Sequence, residues 1–162
     1  MANYYTQAAF ELTLTLEQKT FALQVLECAQ DELVDLSKPQ KNRHGRAYPN
    51  DVYRVAKKFV KCLDEYETGN VNLPFIYTDT GNSIYFSHDE NINTLAAATF
   101  CHLILKHFNS DEYVCIEAAH TCSSNRTDGF GGHAAFITKK GVKWMSTGHW
   151  MHKNIAKHNK AA

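Results

Sequence analysis

The chain predicts an α+β fold: one antiparallel sheet of about five strands, three main helices packed on it, and a short C-terminal helix. Three observations carry this. Apolar residues recur at three- and four-residue spacing in three segments, near 16–36, 50–66 and 91–108. Around residues 73–87 and after 112 the period changes to two, as strands require. No repeat or Gly/Ser-rich linker divides the 162 residues, so a single domain over 1–162 is expected. A chain of that length buries roughly 70% of its unfolded surface and folds without disulfides or metal.

In chain order, residues 4–13 read as a short strand or an arm. Thr15-Leu16-Glu17-Gln18 fits a capping box, and Phe21, Val25, Leu26, Ala29, Leu33 and Leu36 continue it as one apolar helix face. Pro39 lies beyond its end. Residues 37–50 hold no acid and no apolar period, so they form a basic loop. Asn50 caps a second helix through Val52, Val55, Phe59, Leu63 and Tyr66, with Gly69 as its stop. Phe75-Ile76-Tyr77 and Ile84-Tyr85-Phe86 flank a turn at Asp79-Thr80-Gly81-Asn82, a hairpin. Asp89 or Asn91 caps a third helix, apolar on most sides and therefore central. The strand EYVCIEAAHTC is followed by a glycine-rich loop, 123–132, and by two strands joined at Lys139-Lys140-Gly141. Thr147-Gly148 ends them, and the basic residues 152–162 form a fraying helical tail.

Composition sets further bounds. Five cysteines with no CxxC pair suggest free thiols in a reducing, cytoplasmic setting. No membrane span, signal peptide or cofactor is expected. The net charge of zero conceals blocks: −5 over 1–37, +7 over 38–61, −8 over 62–138 and +6 over 139–162. Such blocks either pair inside the fold or leave charged faces for different partners.

Five candidate sites follow. His120, Cys122 and His133 flank the glycine-rich loop; their donors suit zinc or a thiol nucleophile, but the spacing matches no zinc signature and Glu117 points to the other sheet face. Cys122 in the core and two rim histidines is the plainer description. The loop itself, with Ser123, Ser124, Arg126, Gly129, Gly131 and Gly132, has the ingredients of an anion cradle without a P-loop pattern. Asp79-Thr80-Gly81 matches the aspartic-protease triplet, yet one carboxylate is half of that machinery, so a turn is the better reading. The basic residues Lys41, Arg43, Arg46, Arg54, Lys57, Lys58 and Lys61, with Tyr48 and Tyr53 nearby to stack, form a nucleic-acid footprint. A sequence pI near 7.1 argues against a dedicated nucleic-acid binder. Trp144, Trp150 and Met151, with Tyr4, Tyr5 and Phe10, either anchor a protein partner or close the ends of the core.

The stretch GFGGHAAFITKKGVKWMSTGHW (129–150) resembles the C-terminal strands of small phage- and plasmid-encoded accessory proteins. The resemblance implies action by binding a host protein, in some cases as an inhibitor of a defence nuclease, and supplies no catalytic residue. Together these readings favour a non-enzymatic interaction module. In its inhibitor form, acidic residues such as Asp31, Glu32 and Asp35 occupy a partner's nucleic-acid groove. Nucleic-acid binding through 38–61, and a metal- or thiol-dependent hydrolase at His120/Cys122/His133, are the alternatives.

Overall fold

The capping box forms as its residue types require. The Gln18 N–H donates to Thr15 Oγ1 (3.3 Å) and the Thr15 N–H to Gln18 Oε1 (3.1 Å). They open α1 (Leu16–Asp31) in the computed structural model, which describes residues 2–31, 41, 45–64, 73 and 75–161. Leu33, Leu36, Pro39, Tyr66 and Gly69 lie outside the described residues. The second helix, α2 (Asn50–Asp64), takes its first bond from the Tyr53 N–H to the Pro49 carbonyl, so Asn50 is its first residue rather than its cap.

The remaining elements are β1 (Tyr4–Thr13), β2 (Ile76–Asp79), β3 (Ser83–His88), α3 (Thr94–His107), β4 (Val114–Cys122), β5 (Gly131–Thr138), β6 (Gly141–Ser146) and α4 (Thr147–Ala161). The six strands form one antiparallel sheet in the order β2-β3-β1-β4-β5-β6. The sixth strand is β1. It is not an arm but an inner strand, paired with β3 along one side and β4 along the other. Its local pattern is weak because only Phe10 and Leu12 are fully buried; its first half meets the polar ends of its neighbours.

One face of the sheet is covered by helices, and among the described residues no element packs on the other. On β4, Val114, Ile116 and Ala118 are buried while Cys115, Glu117 and Ala119 are exposed. That alternation is the period-two signature of a one-sided core. Phe10, Phe75 and Phe86 meet Phe59 of α2 and Phe100 of α3 in an aromatic cluster with ring centroids 5.1–6.3 Å apart. The third helix is the central one, with Ala96, Ala97, Phe100, Cys101, Ile104 and Leu105 all buried. Its cap is Asn93, whose side chain accepts from the Ala96 N–H, and not Asp89 or Asn91. Asn91 is drawn away by tertiary pairing: it bridges to Thr6 at the start of β1.

Asp79-Thr80-Gly81 is a turn. Gly81 has φ of +88°, which favours glycine. The buried Lys19 ammonium of α1 reaches both Asp79 (2.6 Å) and the Gly81 carbonyl, which holds the Asp79 carboxyl below its ordinary pKa. All five cysteines are free, and burial pushes the Cys101 thiol up. Among the described residues no helix is long and apolar enough to cross a membrane.

Candidate functional site

The ends of β1, β4 and β5 converge near the start of α3, and there the two histidines meet. His120 and Thr6 are register partners on β4 and β1, and His133 pairs with Ala118 across β4 and β5. All therefore point to the helix-covered face. The result is a four-member chain: Thr6 Oγ1 to His120 Nδ1 (3.2 Å), His120 Nε2 to His133 Nδ1 (2.7 Å), and His133 Nε2 to Thr94 Oγ1 (2.6 Å). Trp144 of β6 packs beside His133, with centroids 5.6 Å apart.

All four ring nitrogens are engaged. The chain can run with protons donated from Thr6 toward Thr94 or in the reverse sense; either pattern suits two neutral rings. One added proton is accommodated by turning a threonine hydroxyl to accept, but protonating both rings would set the His120 Nε2–H against the His133 Nδ1–H. Burial first, and the His120 ring second, hold His133 below its ordinary pKa.

Cys122 does not join them. It packs against Gly129, where an added Cβ would lie 2.7 Å from the Cys122 Cβ, and it makes no hydrogen bond with either ring. Among the described residues no three His, Cys, Asp or Glu side chains converge to hold a metal. Glu117 is exposed on the opposite face, as alternation requires. The arrangement therefore joins three strands to a helix through polar side chains, and the Cys122 thiol is not part of it. Sequence reasoning found both histidines and missed Thr6 and Thr94, since no local pattern marks a hydroxyl that will face a ring from another element.

A pH dependence follows. A histidine with a lowered folded pKa contributes stability that is present above its unfolded value near 6.5 and is lost as pH falls through the folded one. The melting temperature is expected to fall between pH 7 and pH 5, and less so in His133→Gln. Equal slopes in the two proteins would remove His133 from the account.

The other candidates are placed as follows. In the glycine-rich loop, Arg126 binds Asp128 through two contacts (2.9 and 3.0 Å), so the cation of the anion cradle is already neutralised. That pairing raises the Arg126 pKa and lowers that of Asp128. On α2, Arg54, Lys58 and Lys61 are exposed and Lys57 half-exposed along one face, and none pairs with an acid among the described residues. Lys41 and Arg46 are also exposed, and Arg43 lies outside the described residues. The stacking residues fail: Tyr48 is buried and Tyr53 packs half-buried on the core. Of the acidic trio, Glu32 and Asp35 lie outside the described residues; Asp31 ends α1, and its side chain is likewise outside them.

The terminal helix differs most from expectation. It starts without a break after β6 and runs through Ala161. Ser146 Oγ caps it by accepting from the His149 N–H (3.2 Å). Thr147 Oγ1 accepts from the Gly132 N–H (3.0 Å) and donates to the Gly132 carbonyl (3.2 Å). Met151 through Lys160 are all exposed. Phe10 belongs to the core, but Trp150 and Met151 do not.

These features define an α+β protein with helices on one face of a six-stranded antiparallel sheet, a histidine pair tying sheet to helix, and a projecting basic helix. Comparison with protein-family models, curated proteins and solved structures gives no match.

Proposed function

We propose that this chain is a non-enzymatic protein-interaction module that docks through its C-terminal edge, β6 and α4. One observation carries the reading: Trp150, Met151 and Ile155 are 62%, 49% and 56% exposed on a helix that its own sheet leaves uncovered. Tryptophan and methionine are enriched at interface centres, where a few such side chains supply most of the binding energy. The absence of an acid from residue 139 onward adds a basic field around them. The histidine pair, with every nitrogen occupied, supports a structural role for the residues that resemble a catalytic set.

In this reading the protein acts in the cytoplasm, and its partner is a host nucleic-acid-handling or defence complex, as the resemblance to phage and plasmid accessory proteins suggests. Capture of a bacterial protein by the immobilised full chain is expected to drop at least about tenfold in a Trp150→Ala/Ile155→Ala variant. Identical capture by both proteins would rule this surface out. A second reading, binding of single-stranded nucleic acid, is favoured by the four cations on one face of α2 that meet no acid among the described residues. It requires oligonucleotide affinity that falls with salt at a log–log slope of roughly −3, for four phosphate contacts. A flat salt dependence removes it.

A further inference from the structure

Among the described residues two apolar surfaces are left uncovered, and they are complementary. The first is the bare sheet face. There Tyr113 (61% exposed) lies over Phe136 (43%), with ring centroids 5.4 Å apart, and Met145 is 59% exposed. A groove of about 500 Å³ runs beside them, lined by Gln7, Glu117, Ala119, Gly132, Met145 and Thr147. A smaller one of about 260 Å³, lined in part by Cys115, Ala134 and Phe136, shares Glu117 and Met145 with it. The charges this face presents are Glu11, Glu117 and, at the β5–β6 edge, Lys140 and Lys143; β1, β3 and β4 set no base on it.

The second surface is α4. Trp150, Met151 and Ile155 lie along one side of the helix, and Lys153, Lys157 and Lys160 recur at four- and three-residue spacing along its flank. Fifteen residues at 1.5 Å make a rod about 22 Å long, close to the width of five strands spaced about 4.8 Å apart. The helix does not cover its own sheet. No residue separates it from β6, and the Ser146 cap and the Thr147–Gly132 bonds fix its direction at the sheet edge.

We infer that α4 of one copy docks on the bare sheet face of a second copy, and reciprocally, in a two-fold dimer. The inference rests on the reading of α4 as a docking surface and names its occupant. Glu117 gives this face one acid for a helix with three lysines and no acid, with the helix lysines kept clear of Lys140 and Lys143 at the β5–β6 edge. Size favours the match as well. The free surface of Trp150, Met151, Ile155, Tyr113, Phe136 and Met145, counted in both copies, is on the order of 1,400 Å², within the range of stable interfaces. A two-fold arrangement uses each surface twice and closes the assembly without leaving a free end.

Sedimentation velocity of the full chain under reducing conditions, from about 1 to 100 µM, tests this; reduction removes disulfides through the exposed Cys115. The expected species at the upper end has twice the 18.4 kDa chain mass. Trp150→Ala/Ile155→Ala and Glu117→Lys, all at exposed positions, are each expected to weaken the dimer at least about tenfold with unchanged circular dichroism. A monomer throughout overturns the inference, as does a dimer indifferent to both variants. A monomer that still captures a foreign protein through α4 overturns self-association and leaves the interaction reading standing. A monomer whose α4 instead binds phosphatidylglycerol vesicles makes a lipid surface the occupant. Loss of both dimer and capture ends both proposals.

Discussion

Phe100→Ala is expected to lower the unfolding free energy by about 3–5 kcal/mol, while Phe136→Ala changes it by less than about 1. Both are phenylalanines in apolar stretches, and the difference lies in what surrounds them. Phe100 has no exposure and touches Phe59 and Phe86, so truncation leaves a cavity between α2, α3 and the sheet. Phe136 is 43% exposed on the bare face, where water fills the space it vacates. With total stability of about 5–15 kcal/mol for a domain of this kind, the first variant loses a large fraction of it. Urea midpoints for the two variants and the parent, taken at about 1 µM where copies are separate, decide the matter. Similar shifts would mean that the bare face is as well packed as the covered one.

Gly132→Ala is expected to cost about 1–3 kcal/mol, whereas Gly131→Ala is close to neutral. The two glycines are adjacent on β5 and differ by what a methyl group would meet. At Gly132 an added Cβ would lie 2.8 Å from the Ala118 carbonyl oxygen, a backbone atom that moves only if the β4–β5 pairing moves. At Gly131 the nearest atom is the Thr147 hydroxyl at 3.4 Å, an ordinary contact. Gly132 also exchanges two hydrogen bonds with Thr147, so its displacement loosens the anchor of α4. Thermal melts measure the stability difference. Limited proteolysis within 147–161 should accelerate in Gly132→Ala alone, and equal cleavage in both variants would separate the anchor from the clash.

Much of the site is legible in the sequence. The period-two run through β4 puts His120 and Cys122 on the helix side and Glu117 on the other, and the strand alternates in that sense. The juxtaposition of the histidines is not legible there, because it depends on register. Ala118 opposite His133 brings the rings to hydrogen-bond distance, and a slip of one residue would send His133 to the bare face. Thr6 is hidden by the weak pattern of β1, whose pairing is set by strands about 70 to 120 residues away in sequence. The Asn93 cap is hidden by competition. Asp89, Asn91 and Asn93 are all suitable types, and the bridge from Asn91 to Thr6 decides among them.

The sequence by itself determined the α+β class, the capping box of α1, the β2–β3 hairpin and the central place of α3. Each rests on residues within a few positions of one another, where period, caps and turn chemistry act locally. Only the tertiary structure decided the sixth strand, the Thr6–His120–His133–Thr94 chain, the exclusion of Cys122 from it, and the projection of α4 from the sheet edge. Those depend on which strand lies beside which, and in what register. Hydrogen bonds between distant segments and burial against other elements set that choice, and neither is written in any one stretch of the chain.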